Sequence, residues 1–120
     1  MKINDKVAII ISEPWGYTTP EGGNKFSSTI LDKTVFNRSK NKNTIEYEDA
    51  FLLKVEVPFI IDGSCVNYVM AEYRNKKVNS NSFNIYYIPN EYVDQFQRLD
   101  TIIDKLKFII IGSVQDLLVS

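Results

Sequence analysis

The amino-acid sequence predicts a mainly β domain, a strongly bent antiparallel sheet or partly open barrel of six or seven strands with one helix near the C-terminus. Two observations lead to this class. The first is a pair of strand-like segments between Ala50 and Arg74 that meet at a tight turn. The second is a change from period-2 to helical periodicity at Asn90. An α+β arrangement of the same elements is the alternative.

The hairpin between Ala50 and Arg74 is the best-defined element. Apolar residues occupy every second position of its first strand, at Phe51, Leu53, Val55 and Val57. Asp62-Gly63 supplies the pair of residues that tolerates the positive φ angles of a two-residue turn. With that turn, Val57 lies opposite Tyr68 and Val55 lies opposite Met70, and we expect the four side chains to share one dry face.

The segments before the hairpin predict two strands joined by a long loop. Lys6–Ser12 is apolar on both faces, which favours a central strand or a closed barrel. Glu13–Asn24 contains two Pro, three Gly and an Asn, so regular structure ends there. Lys25–Asp32 alternates apolar and polar residues and is expected to pair back onto the first strand.

The segments after the hairpin predict a strand, a helix and a closing strand. Ser82–Ile88 alternates, with Phe83, Ile85 and Tyr87 on one face. A helix capped by Asn90 follows, and we expect it to end between Leu99 and Lys107. One apolar stripe lies along it, at Tyr92, Phe96, Leu99, Ile103 and Leu106. Phe108–Ile111 is predicted to be a buried closing strand, and Gly112 to mark a bend or bulge.

Length, charge and cysteine content indicate one soluble domain. The 120 residues suit a single domain covering residues 1–120. The chain has 14 basic and 15 acidic side chains, so it offers no overall attraction to nucleic acid or to an acidic membrane. Charged residues near Met1 leave no apolar signal segment, and we expect a cytoplasmic protein without membrane contact. The lone Cys65 is expected to be a small buried side chain.

The sequence offers no equipment for catalysis. It contains no histidine, which removes the commonest general base, the commonest zinc ligand and the usual nucleophile–histidine pairs. The five glycines fit neither a phosphate-binding loop nor a dinucleotide fingerprint. We therefore expect a protein that is not an enzyme and that needs no cofactor and no metal.

Two groups of residues are candidates for contact with another protein. Trp15 and Tyr17 lie in the Gly- and Pro-rich loop, where they either anchor a partner or plug one end of the barrel. Glu46, Glu48 and Asp49 form an acidic cluster, which acts either as a solvated strand edge or as part of an acidic surface. Glu56 and Asp62 add to that surface, which would complement a basic active site.

These features favour a non-catalytic protein-binding module, monomeric or homodimeric, with another protein rather than nucleic acid as its partner. An inhibitor such as the immunity protein of a bacterial toxin pair is the most concrete version. One alternative is a nucleic-acid-associated small barrel that uses its tyrosines and the basic loop residues Arg38, Lys40 and Lys42. Another is a small-molecule or carbohydrate binder that uses Trp15 and Tyr17.

Overall fold

The computed structural model describes residues 2–12, 16, 18–37, 47–73 and 81–116. Within these ranges the chain forms six antiparallel strands that follow one another in chain order around a closed barrel. The strands are β1 (Lys6–Ile11), β2 (Lys25–Asn37), β3 (Tyr47–Ile61), β4 (Ser64–Tyr73), β5 (Phe83–Tyr87) and β6 (Lys107–Asp116). The predicted mainly β class is confirmed.

Pairing between β1 and β6 closes the barrel. Val7 lies opposite Asp116, and Ile11 lies opposite Gly112. A Cβ atom on Gly112 would lie 2.9 Å from the carbonyl oxygen of Ile10, so the residue permits a close approach of two backbones. The predicted bulge lies elsewhere on β6, because the register with β5 shifts between Ile85 and Tyr86.

The barrel interior holds the larger of two apolar cores. Every strand contributes to it, and in β1 the contributing residues alternate along the strand, as expected for the inward face of a barrel. Its buried members on the first three strands are Val7, Ile9, Ile11, Phe26, Ile30, Phe51, Leu53, Val55, Phe59 and Ile61. Those on the last three are Val66, Val69, Ala71, Phe83, Ile85, Ile110 and Val114.

The second core lies between the outer face of the barrel and the helical segment that joins β5 to β6. This segment consists of a 3₁₀ helix (Asn90–Arg98), the α-helix α1 (Leu99–Ile102) and a short 3₁₀ turn (Ile103–Lys105). The predicted apolar stripe packs there against the sheet. The helical segment ends at Lys105, between Leu99 and Lys107 as predicted. Asn90 is not the cap, however, because Pro89 occupies that position and no side chain caps the helix.

The turn of the β3–β4 hairpin is confirmed, whereas its predicted register is wrong. Asp62 and Gly63 have φ angles of 50° and 81°, as the two-residue turn requires. Beyond the turn the register shifts between Lys54 and Phe59, so that Lys54 rather than Val57 lies opposite Tyr68. Three extra residues on β3 cause this shift.

The shift reverses the predicted faces of β4 from Tyr68 onward, whereas Val66 stays on the interior face. Val69 and Ala71 point into the barrel, whereas Met70 is buried on the outer face beneath the helical segment. Val57 leaves the core and is 47% exposed. The neighbouring Pro58 lacks the N–H group that a regular ladder needs, which is consistent with an irregularity at this point of β3.

The end of the hairpin folds over one end of the barrel. Phe59, Ile61 and Val66 are buried in the interior core, and the Phe59 ring meets Phe26 edge-on at 5.0 Å. Asp62 accepts a hydrogen bond of 2.8 Å from Lys107 on β6. Because β5 lies between β4 and β6, the hairpin must lean across the end of β5 to make this contact.

Two residues that were predicted to be buried are exposed at this same end of the barrel. Phe108, expected in a buried strand, is 48% exposed, with its ring edge-on to Tyr86 at 5.5 Å. Cys65 is exposed rather than buried. It pairs with Ile60 on the part of the hairpin that extends beyond β5, so no neighbouring strand described by the structure shelters it.

Candidate functional site

Most of the residues singled out from the sequence lie outside the described residues. These are Trp15, Tyr17 and Glu46, together with the basic group Arg38, Lys40 and Lys42. The backbone of Glu48 belongs to β3, where it pairs with Phe36, but its side chain is also outside the description. Of the acidic cluster Glu46, Glu48 and Asp49, the structure places only the side chain of Asp49, and it also places Glu56 and Asp62 of the wider acidic surface.

The strand ends show that the two predicted loops belong to opposite ends of the barrel. The segment with Trp15 and Tyr17 leaves β1 after Ile11 and returns to β2 at Lys25. The Asp62-Gly63 turn lies at that same end, because β1, β3 and β5 run in one direction. The segment with Arg38, Lys40 and Lys42 joins Asn37 to Tyr47 at the other end.

The second half of the β1–β2 connection has a fixed conformation. The buried Thr19 hydroxyl donates to the carbonyl oxygens of Gly22 and Lys25, and the Asn24 amide donates to the carbonyl of Ile11 at 2.9 Å. Glu21 accepts hydrogen bonds from the backbone N–H and the hydroxyl of Ser27. These contacts hold the base of the predicted aromatic loop against the barrel.

Large apolar side chains are exposed at this end. Ile60 is 67% exposed, and Val57 and Phe108 are each exposed over almost half of their surface. We refer to these three residues as the apolar end group. All three lie at one end of the barrel, because Val57 and Ile60 precede the turn of the β3–β4 hairpin and Phe108 lies at the start of β6. The 2.8 Å contact between Asp62 and Lys107 shows that the turn lies beside the start of β6.

The three acidic residues of the predicted contact surface that have described side chains are paired with lysines of the same chain. Asp49 lies 3.8 Å from the Lys33 ammonium. Glu56 lies 3.8 Å from the Lys6 ammonium, and Asp62 lies 2.8 Å from that of Lys107. These contacts reduce the negative potential that the described part of the predicted acidic surface presents to a basic partner.

A polar depression of about 360 Å³ lies on the outer face of β1, β2 and β3. Lys6, Thr29, Lys54, Val55 and Glu56 line it. Thr29 lies directly opposite Lys6 on one side and Lys54 on the other. Sequence reasoning missed this site because its residues come from three strands and meet only through their register, and no local motif marks them.

The tyrosines with described side chains do not form an open stacking surface. Tyr73 and Tyr87 pack against the interior core, and Tyr68, Tyr86 and Tyr92 pack against the core beneath the helical segment. The nucleic-acid alternative needs exposed rings on which bases stack. The described part of the chain therefore gives that alternative little support.

The described residues contain no cluster of three or more metal-ligating side chains and no helix with the length and apolar character needed to cross a membrane. No protein-family model, curated protein or solved structure matches the chain. The apolar end group and the polar depression are therefore the features of the described residues that bear on function.

Proposed function

We propose that the chain is a non-catalytic protein-binding module that contacts its partner through the barrel end bearing the apolar end group. The proposal rests chiefly on one observation, the 67% exposure of Ile60 between Phe59 and Ile61, which are both buried in the core. Isolated exposed apolar residues are common, but several large ones gathered at one end of a small domain are typical of an interaction site.

The apolar end group is held on a rigid support. On the same hairpin, Phe59, Ile61 and Val66 are buried in the barrel interior, so alternate residues fix the strand while Ile60 faces solvent. A contact residue that is already held in place loses little conformational freedom on binding. The end of the hairpin is thus suited to act as an anchor.

The loop that contains Trp15 and Tyr17 is part of the proposed contact surface. The strand ends that flank Trp15 and Tyr17 lie at the barrel end that bears Ile60, and aromatic residues are enriched at interface centres. The loop and the hairpin together would form one contact surface. The carbohydrate or small-molecule alternative uses the same two aromatic residues. Binding of such a ligand that is lost on substitution of Trp15 and Tyr17 but retained in Ile60→Asp would favour that alternative.

The narrower form of the proposal is a cytoplasmic inhibitor of a partner enzyme, as the immunity protein of a bacterial toxin pair is. It is supported by the small single-domain length and by a sequence that contains no histidine. The internal pairing of Asp49, Glu56 and Asp62 moves the expected contact from the acidic surface to the apolar end group.

A matched pair of substitutions tests the protein-binding proposal. The partner is identified by photo-crosslinking from position 60 of the full chain, and its affinity is then measured by calorimetry. Ile60→Asp should weaken binding by about 30-fold or more, equivalent to about 2 kcal/mol, because it places a charge in an apolar contact. Val35→Asp is the control, since Val35 is 52% exposed but lies toward the opposite end.

Equal affinities for wild type and Ile60→Asp would refute the proposal, as would an equal loss in Val35→Asp. Circular dichroism of both variants confirms that the fold is retained. Tight binding of mixed oligonucleotides at physiological salt, lost when Arg38, Lys40 and Lys42 are replaced together, would favour the nucleic-acid alternative instead.

A further inference from the structure

The polar depression forms where β2 and β3 separate. Their last paired residues are Ser28 and Val55. Beyond this point the Ser27 backbone N–H donates to Glu21 instead of to β3, and β3 enters its irregular stretch toward Phe59. The outer face of the barrel is therefore concave beside Thr29, Lys54 and Glu56, rather than continuing as a flat sheet.

The depression already holds one carboxylate, which belongs to the chain itself. Oε1 of Glu56 accepts a hydrogen bond of 3.2 Å from the Thr29 hydroxyl and lies 3.8 Å from the Lys6 ammonium. A hydroxyl donor and an ammonium group thus converge on a single oxygen. This pair of donors is suited to any oxyanion of similar size.

The depression has more positive charge than Glu56 can neutralise. Lys54 lines it from the far side of Thr29, and among the described residues no carboxylate forms an ion pair with Lys54. Residues opposite each other on adjacent antiparallel strands have Cα atoms about 5 Å apart, so Lys6 and Lys54 flank Thr29 at about 10 Å from each other. Their flexible side chains can reach one group bound between them.

We infer that this depression is a binding site for a single oxyanion, a phosphate monoester or a carboxylate, which takes the place of the Glu56 carboxylate between Lys6 and Lys54. The Thr29 hydroxyl donates to the bound group. Its volume of about 360 Å³ is at the small end of the range for ligand pockets, which is consistent with a single charged group on a small molecule or side chain.

This inference does not depend on the proposed protein-binding function. Its residues come from β1, β2 and β3 as far as Glu56, whereas Ile60 and Phe108 lie further along β3 and on β6. Val57 directly follows Glu56, so the two sites adjoin on β3, but no residue that lines the depression belongs to the apolar end group. Loss of one site can therefore be measured while the other is retained.

Glu56→Gln, with a matched control, tests the inference. Wild-type chain labelled with nitrogen-15 is titrated with inorganic phosphate and, separately, with acetate, at constant ionic strength, and amide shifts are followed by NMR. Removing the resident carboxylate should tighten binding by about threefold to fivefold, the range expected for loss of one exposed competing charge. The relative affinity of the two anions shows whether the natural ligand carries a phosphate or a carboxylate.

Asp49→Asn is the control, because Asp49 also lies 3.8 Å from a lysine ammonium but outside the depression. It should leave anion affinity unchanged. Lys54→Met should weaken binding by about threefold or more, whereas Lys33→Met should have no effect. The shifted amides should cluster at residues 6, 29 and 54.

Three results would overturn the inference. The first is an unchanged anion affinity in Glu56→Gln, and the second is an equal loss of affinity in Lys54→Met and Lys33→Met. The third is a set of amide shifts spread over all lysine-bearing surfaces, which would indicate an adventitious ion only. Retained binding of the protein partner by Lys54→Met would show that the two sites are independent of each other.

Discussion

Ser28 shows at the scale of one residue how the barrel interior tolerates a polar group. It is fully buried between Val7 and Val55, its neighbours across the two adjacent strands. In the described part of the chain no hydrogen-bond partner lies within reach of its hydroxyl oxygen. Burying a hydroxyl without a partner has a desolvation cost that a methyl group does not have.

Ser28→Ala should therefore leave the free energy of unfolding unchanged or raise it by up to about 1 kcal/mol, because it removes the desolvation cost at almost no loss of volume. Ile30→Ala, two residues further along the same strand, should lower it by about 2–5 kcal/mol through the cavity it leaves. Urea denaturation measures both. A loss of more than about 1 kcal/mol in Ser28→Ala would show that the hydroxyl is hydrogen-bonded after all.

At the scale of one element, the hairpin formed by β3 and β4 has a turn that follows from its local sequence and a register that does not. Its turn follows from the local chemistry of Asp62-Gly63, whose backbone angles few residue pairs adopt. Its register does not follow from the turn, since three extra residues between Lys54 and Phe59 separate the two halves of the ladder. This one irregularity exposes Val57, moves Met70 beneath the helical segment and opens the depression beside Glu56.

Met70→Asp and Val57→Asp test this account of the hairpin, because simple alternation would put both residues on one dry face. Met70→Asp should lower the free energy of unfolding by about 3 kcal/mol or more, since Met70 is buried against Phe96 and Leu99 in the second core. Val57→Asp should cost less than about 1 kcal/mol, because Val57 is exposed. Similar losses in both variants, measured by thermal unfolding, would contradict the shifted register.

At the scale of the whole molecule, the predictable features are those encoded locally. Alternation located the strands, and the stripe from Tyr92 to Leu106 located the helical segment, because each depends on neighbours a few residues away. The exposure of Cys65 depends on how far β4 extends beyond β5, and that of Phe108 depends on the register shift of β6 between Phe108 and Ile110. No local pattern records either feature. The Lys6, Thr29 and Lys54 site depends on the register of three strands and was missed for the same reason.

The barrel topology also explains why two apolar cores occur in so short a chain. Closing the sheet gives the inner face one core, and the outer faces of β2 to β5 then need their own cover. The helical segment supplies it, and Gln97 donates a hydrogen bond of 3.0 Å to the backbone of Lys33 across this junction. The outer face of β1 to β3 beside Thr29 retains the open depression.

The exposure of Val57 and the depression beside Glu56 both depend on the shifted register of β3 and β4, and one NMR measurement tests that register most directly. Nuclear Overhauser contacts between backbone protons identify which residues lie opposite each other on antiparallel strands. The structure predicts contacts between Lys54 and Tyr68 and between Leu52 and Met70. Contacts between Val57 and Tyr68 and between Val55 and Met70 would instead show an unbroken hairpin and would contradict the account of the depression and of the exposed Val57.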